Sequence, residues 1–256
     1  MTNFKFGITE YSDPSVNYSW VYSIQNVDAA ILITKNLTEH FRNKVLELHR
    51  AGKPIIVHCT CTGWGGSILE PNIPSYSEQL NNLSRLILAG FPVERVVIRI
   101  DPIIPTDAGL AQVKQVLAHA WRNGFKPENT RVRFSIYDEY KHSALRLNQA
   151  GYSSFYNGSF YAPSGMMENA KKLLASLPYT FETCAEDQFS VLSNVEVTGC
   201  ISKKDFNILG LDIPSDVTEN PQHRNGCHCL SCKTELIKVS RKQKCPYGCL
   251  YCFWKD

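Results

Sequence analysis

Short apolar segments rich in β-branched residues alternate along this chain with longer segments of helical periodicity. This alternation is typical of βα units arranged around a parallel sheet. The pattern predicts strands near residues 4–9, 29–34, 54–58, 95–100, 131–136, 179–183 and 194–198. The clearest helices are predicted at 38–51, 76–89 and 107–123, each followed by a glycine, where a left-handed helix cap is least costly.

Seven or eight such strands predict an α/β fold, a partial or permuted (β/α) TIM-like barrel whose core spans residues 1–210. Functional side chains of such barrels gather at the C-terminal ends of the strands, and this edge is unusually polar here. The residues predicted to be catalytic at this edge are Lys35, Arg99, Asp101 and Glu182.

Arg99 and Asp101 are two residues apart on one predicted strand, so both side chains point to the same face. If that face is the barrel interior, the two charges need each other or a ligand, because buried charges are rarely unpaired. A surface salt bridge is the alternative.

Composition narrows the class of protein. With 256 residues, of which 43% are hydrophobic, the chain can bury a sizeable core, and its net charge of +3 argues neither for nor against nucleic acid. No apolar run of about 18 residues and no signal-peptide pattern is present, so we expect a cytoplasmic protein without a membrane partner. In a reducing compartment, ten cysteines indicate metal or redox chemistry.

Six of the ten cysteines lie in the last 30 residues, within a cysteine-rich tail that spans 211–256. The tail ends in KCPYGCLYCFWKD, which contains Cys245-x3-Cys249-x2-Cys252 with Tyr251 before the last cysteine. This segment resembles the cluster loop of the radical SAM superfamily. The resemblance implies a 4Fe-4S cluster with one iron left open for S-adenosylmethionine. It also implies that Tyr251 packs beside the adenine and that flavodoxin or ferredoxin donates the electron.

A zinc ribbon is the rival interpretation of the tail. Cys229-x2-Cys232, a gap of 16 residues and Cys249-x2-Cys252 fit the spacing of a four-cysteine zinc site. The protein would then be a zinc-binding α/β interaction module, with nucleic acid as a candidate partner and no catalysis. This interpretation leaves Cys227 and Cys245 without a function and ignores the aromatic residue inside the last cysteine pair.

A wider resemblance covers nearly the whole chain. The order of its short motifs is similar to that of a bacterial and phage family known as a domain of unknown function: ITKN (33–36), LEPNIP (69–74), RIDPI (99–103), ETCAE (182–186), GCISKK (199–204) and CPYGCLYC (245–252). Members carry a C-terminal cysteine cluster that resembles the radical SAM cluster. The chain departs from them at HCTCTGWGG (58–66), where members usually lack Cys59 and Cys61.

The C-terminal position of the cysteines differs from that of radical SAM enzymes, which carry the loop after their first strand. A circular permutation would explain the difference, and permutation is physically easy when chain termini lie close together. The segment 235–240 is then predicted to be a strand beside 4–9, so that the tail completes the barrel.

Other residues are candidate ligands of the same cofactor. Gly65 and Gly66 follow the third strand and could let the backbone approach S-adenosylmethionine, although a glycine-rich turn is the commoner role. Glu70 could hold the amino group of the cofactor, with a solvated loop carboxylate as the alternative.

Four further cysteines suggest a second metal site, either an auxiliary iron-sulfur cluster or zinc. Cys184 and Cys200 each follow a predicted strand and, with Cys227 and Cys229, resemble positions of the family's cysteine set. If Cys184 is not a ligand of this second site, Cys232 is the main alternative. A lone buried cysteine is ordinarily a small hydrophobic residue.

The substrate is less clearly indicated. Aromatic residues in 152–161, beside Lys141, His142 and Arg146, could stack bases and contact phosphate, whereas ordinary packing of a surface loop is the favoured explanation. We expect hydrogen abstraction from a small molecule, a nucleotide or a nucleic-acid base.

Overall fold

The computed structural model describes residues 4–219, 226–238 and 245–253. The protein has an α/β fold in which an eight-stranded parallel sheet alternates with helices. The strands are β1 (Phe6–Ile8), β2 (Ala29–Thr34), β3 (Ile55–Thr60), β4 (Val96–Ile103), β5 (Arg131–Ile136), β6 (Phe181–Thr183), β7 (Val195–Val197) and β8 (Lys233–Glu235). The first seven confirm the strands predicted from the sequence.

The helices are α1 (Trp20–Ser23), α2 (Glu39–Arg50), α3 (Tyr76–Leu88), α4 (Asp107–Arg122), α5 (Lys141–Gln149), α6 (Ser164–Ser176) and α7 (Lys203–Leu209). The three predicted helices correspond to α2, α3 and α4. Each begins after a hydroxyl side chain, Thr38, Ser75 or Thr106, that accepts a hydrogen bond from the backbone N–H three residues on. Among the described residues, no helix has the length and apolar character that a membrane span requires.

The strands lie in the order β7-β6-β5-β4-β3-β2-β1-β8, and every neighbouring pair is parallel. The strand predicted beside the first strand is therefore present, but its bounds of 235–240 were wrong. The pairing with β1 uses Lys233–Glu235, and residues 239 and 240 lie outside the described residues. Within the described residues β7 and β8 do not pair, so the sheet has two edges.

The two faces of the sheet have different partners. Leu32, Val57 and Ile98 point to one face and pack with the buried side chains of α2, α3 and α4. The opposite face, here called the inner face, buries a smaller apolar cluster that includes Ile56 and Phe206 of α7. Helix α7 thus covers the part of the inner face nearest the N-terminal ends of the strands.

Above this apolar layer, the strand register brings a row of polar side chains together on the inner face. Thr60 pairs with Arg99, Arg99 with Arg133, Arg133 with Glu182, and Glu182 with Glu196. Because these residues occupy aligned positions on adjacent parallel strands, their side chains point to the same side of the sheet. The inner face is therefore charged toward the C-terminal ends of the strands.

Candidate functional site

The tail segment 245–253 lies across the C-terminal edge of the sheet, where it is bound by loops that follow the first strands. The hydroxyl groups of Tyr247 and Ser15 share a hydrogen bond of 2.6 Å. The backbone N–H of Leu250 donates to the carbonyl of Leu69 at 3.0 Å. The cysteine segment is thus fixed to the part of the edge formed by β1 and β3.

Helix α5 holds the same segment from another side. Arg146 donates from Nε to the carbonyl of Leu250 at 2.9 Å and from Nη2 to the carbonyl of Cys252 at 2.5 Å. The Nε2 atom of His142 lies 3.1 Å from the carbonyl oxygen of Phe253. Two side chains considered as candidate phosphate contacts therefore bind the tail backbone.

Arg146→Ala should loosen the tail segment without unfolding the sheet. Each hydrogen bond from a charged donor contributes about 1.5–3 kcal/mol, so amide exchange over 249–253 should become at least about tenfold faster. Lys141→Ala is the matched control, since Lys141 is an exposed cation at the start of the same helix. Equal exchange rates in the two variants would show that Arg146 does not hold the segment.

The three tail cysteines differ in exposure. Cys249 is buried, Cys252 is half-buried and Cys245 is exposed. Burial raises the pKa of the Cys249 thiol to about 12, and nearby Lys35 opposes this shift. A metal bound at Cys249 would have to displace this proton, because thiols ligate as thiolates.

Lys35, Glu70 and Tyr251 form a buried cluster beside the tail cysteines. The Nζ atom of Lys35 donates to Glu70 Oε1 and to the Tyr251 hydroxyl, both at 2.9 Å, and Tyr251 also donates to Glu70. Thr62 donates to the other carboxylate oxygen at 2.8 Å. Burial opposes the charge of Lys35, but Glu70 keeps the pKa of its ammonium above the usual value.

This cluster changes the interpretation of Glu70 and Tyr251. Glu70 is only 1% exposed, so the alternative of a solvated loop carboxylate was wrong. Both of its oxygens accept hydrogen bonds from the chain itself. The ring of Tyr251 lies edge-on to Tyr137 at 5.9 Å, and Lys35 lies 5.4 Å from the ring centroid.

Gly65 and Gly66 form a turn whose geometry has local causes. A Cβ atom on Gly65 would overlap the carbonyl group of Pro74, so only glycine fits there. Gly66 has a φ of +79° and open space around it, and its N–H donates to the carbonyl of Glu70 at 3.1 Å. The turn therefore supports the loop that carries Glu70.

Arg99 and Asp101 line a cavity of about 310 Å³ on the inner face, so the alternative of a surface salt bridge was wrong. Arg99 Nε donates to Asp101 Oδ2 at 2.6 Å, and Ser135 donates to the other oxygen. Burial opposes ionisation of Asp101, but Arg99 and Ser135 hold the pKa of its carboxyl group below the usual value. Arg133 and Lys233 line the same cavity.

Glu182 does not line this cavity. It accepts hydrogen bonds from Arg131 Nε and Nη2 at 2.8 and 2.9 Å and from Arg133 Nη2 at 2.8 Å, and it pairs with Lys204 at 2.8 Å. The predicted catalytic set is thus divided. Arg99 and Asp101 face the cavity, Lys35 lies in the cluster beside the tail, and Glu182 holds a buried ionic network.

Arg131 and Arg133 were not predicted from the sequence as site residues. A signal for them was present, since RVRFSI (131–136) places arginines at alternate positions of a strand next to the one that carries Arg99. Lys233 was also missed, because the strand that begins with it was predicted to start two residues later.

A second group of cysteines lies in the wall of the cavity. The sulfur atoms of Cys184, Cys227 and Cys229 are all within 4.8 Å of one another, so this group can hold a metal ion. Cys200 lines the same cavity, and its backbone N–H donates to Cys229 Sγ at 3.2 Å. The structure therefore groups three of the four cysteines predicted for a second site, with Cys200 nearby in the same cavity.

The comparisons with known proteins concern the whole chain. A family model described as "Domain of unknown function (DUF1848)" matches residues 1–254. The chain belongs to this family. No curated protein matches it.

Within this DUF1848 chain, the cysteines of the zinc-ribbon interpretation are separated. Cys229 belongs to the second cysteine group, whereas Cys232 is buried with Phe6 and Ile8 in the inner apolar cluster. Cys249 and Cys252 lie in the tail cluster. In the parts of the chain that the structure describes, these four cysteines do not form a common ligand group.

The two cysteines of HCTCTGWGG (58–66) have an apolar environment. Cys59 and Cys61 are fully buried in the large core between β3 and the covering helices. The pKa values of both thiols are raised by burial. They fit the role of small hydrophobic residues.

Most aromatic side chains of residues 152–161 in the DUF1848 chain pack against the rest of the protein. Tyr152 and Phe155 pack against the tail cluster, and Phe160 stacks on Tyr140 with 5.3 Å between ring centroids. Tyr161, at 66% exposure, remains at the surface. These contacts favour ordinary packing over a base-stacking platform.

Proposed function

We propose that this protein is a radical SAM enzyme, with a 4Fe-4S cluster on Cys245, Cys249 and Cys252. The observation that carries the proposal is the position of segment 245–253, bound across the C-terminal edge of the sheet by loops that follow β1 and β3. The cavity residue Asp101 is near enough for its charge to raise the pKa values of Tyr251 and Lys35. Active sites of parallel α/β barrels lie at this edge.

The strand order supports a more specific architecture than an open α/β sheet. The strand order β8-β1-β2-β3-β4-β5-β6-β7 is that of a barrel begun at β8, so we infer a permuted partial barrel. The cysteine loop then follows the spatially first strand, as it does in the radical SAM enzymes that the tail resembles. This relation accounts for a cluster motif at the C-terminal end of the sequence.

The donor set fits a cluster with one open iron. Three thiols lie on one short loop, and a [4Fe-4S] cube with four corners would keep one corner for another ligand. When bound, the cluster supplies the electron that cleaves S-adenosylmethionine. The chain's own residues hold a positive charge at Lys35 next to Cys249 and exclude water through the packed rings of Tyr251 and Tyr137.

The cavity suggests the class of substrate. Its volume of about 310 Å³ suits a small molecule, and its lining by Arg99, Asp101, Arg133 and Lys233 favours a polar, charged one. A nucleotide is one such substrate. Hydrogen abstraction from its C–H bond would be the first step, with flavodoxin or ferredoxin as the physiological electron donor.

The test is anaerobic reduction of the iron-reconstituted protein in the presence of S-adenosylmethionine. We expect a brown protein with broad absorption near 400 nm that releases 5'-deoxyadenosine, measured by liquid chromatography and mass spectrometry. Adding pools of polar metabolites or nucleotides should raise the yield with the true substrate. A cluster-loaded, reduced protein that forms no 5'-deoxyadenosine would contradict the proposal.

A further inference from the structure

We propose that Cys184, Cys200, Cys227 and Cys229 bind a single zinc ion that joins the two edges of the sheet. This inference goes beyond the proposed catalytic function and does not depend on it. It rests on where the four cysteines lie along the fold, on the spacing of three of their sulfur atoms, and on the charges around them.

The ligands come from both edges. Cys184 directly follows β6 and Cys200 follows β7, whereas Cys227 and Cys229 precede β8. Because β7 and β8 do not pair within the described residues, a metal here would connect parts of the sheet that no strand ladder joins. Two cysteines from each side are the number needed for a closed four-coordinate site.

The backbone is already arranged for this connection. The N–H of Leu230 donates to the carbonyl of Ile201 at 3.2 Å, which links the segment before β8 to the segment after β7. Gly199 lies so close to the backbone of His228 that a Cβ atom would overlap it. The close approach of the two segments therefore requires a glycine at residue 199.

The spacing of the sulfur atoms favours one ion over a cluster. A zinc–sulfur bond is about 2.3 Å long, so two sulfurs on one zinc ion lie at most about 4.6 Å apart. The sulfurs of Cys184, Cys227 and Cys229 lie within 4.8 Å of one another, close to this limit, and Cys200 lies outside this group but donates its backbone N–H to Cys229 Sγ. Thiolates at the corners of a 4Fe-4S cube bind separate irons and stand farther apart.

The surrounding charges match a zinc tetrathiolate. Four thiolates and Zn²⁺ carry a net charge of −2, which needs nearby cations in a buried site. Arg99, Arg133 and Lys233 line the same cavity as the cysteines, and each also pairs with a carboxylate, Asp101, Glu182 and Glu10 respectively. Nε of Arg133 and Nη1 of Arg99 are buried with no hydrogen-bond partner among the described residues, so both N–H groups are available to the thiolates.

The edge strands give such an ion a structural role. Strands β6, β7 and β8 have three residues each, so few backbone hydrogen bonds hold the two edges. Structural zinc contributes directly to folding free energy. It would also protect thiols next to the cavity from oxidation.

The test uses the Cys245→Ala/Cys249→Ala/Cys252→Ala variant of the full chain, expressed with iron and zinc both supplied. We expect about one zinc and no iron per chain by mass spectrometry, whether or not the wild-type protein cleaves S-adenosylmethionine. Iron in this variant would overturn the zinc assignment, and a folded protein without metal would overturn the site.

The ligands are tested by further substitutions in that variant. Adding Cys184→Ala and Cys229→Ala should remove the zinc, whereas Cys232→Ala, three residues from Cys229 but in the apolar cluster, should retain it. Zinc retained without Cys184 and Cys229 would overturn the ligand set. If the doubly substituted chain does not fold, cobalt exchange into the triple variant decides: a tetrahedral thiolate spectrum supports the site and its absence overturns it.

Amide exchange tests the connection between the edges. Removing zinc with a chelator should speed exchange at least tenfold in 195–197 and 233–235 and leave the central strand β3 unchanged. Unchanged exchange at both edges would overturn the structural role of the ion.

Discussion

Alanine at Cys245, Cys249 or Cys252 should reduce 5'-deoxyadenosine formation to the assay background. Each cysteine supplies one of only three thiolates for the proposed cluster, and a cube held by two thiolates is not retained. The sheet should remain folded, because the segment 245–253 lies on its edge and contributes no strand to it. The measurements are iron per chain, 5'-deoxyadenosine yield and the thermal unfolding midpoint.

Cys232→Ala is the matched control for these variants. It removes a cysteine of the same tail from a buried apolar cluster, and cavity formation there should lower stability while leaving iron content intact. Wild-type cleavage in any one of the three tail variants would refute the ligand assignment. Loss of cleavage together with unfolding would show instead that the cysteine is structural.

Glu182→Gln should lower the free energy of unfolding by about 3–5 kcal/mol, the usual cost of breaking a buried ion pair by removing one partner. Glu182 is 1% exposed and pairs with Arg131, Arg133 and Lys204. Its replacement leaves buried cations without their shared anion. Urea unfolding at neutral pH measures the change.

Glu196→Gln is the matched control on the neighbouring strand. Glu196 aligns with Glu182 in the sheet and also pairs with Lys204, but its side chain is 48% exposed. An exposed pair contributes at most about 1 kcal/mol. Equal losses in the two variants would contradict the importance of the buried network.

Glu182→Gln should also change how the free energy of unfolding depends on pH in acid. Burial opposes ionisation of Glu182, but Arg133, Arg131 and Lys204 hold the pKa of its carboxyl group well below the usual value of 4.5. The folded state therefore binds fewer protons than the unfolded state. The network contributes its full stability above the unfolded-state pKa of about 4.5, and this contribution is lost as the pH falls toward the lower pKa of the folded state. The free energy of unfolding of the Glu182→Gln variant should therefore decline less steeply with acid.

The sequence by itself determined the strands, the main helices and the edge at which polar residues gather. A short apolar segment rich in β-branched residues is a local feature, so it identifies β2, β3 and β5 without knowledge of their partners. The tail motif predicted the strand beside β1, but its start was placed two residues late and its end five residues late.

Only the tertiary structure decided which side chains meet. Glu182 is the anion of an ionic network because the register of β5 and β6 places it beside Arg133. The sequence of apolar and polar residues does not determine the register between two strands. Glu70 became buried because the tail crosses the loop that carries it. Cys229 and Cys232 share one short segment, yet Cys229 lines the cavity and Cys232 is buried in the inner apolar cluster. The direction in which each side chain points depends on how the segment packs in the folded protein.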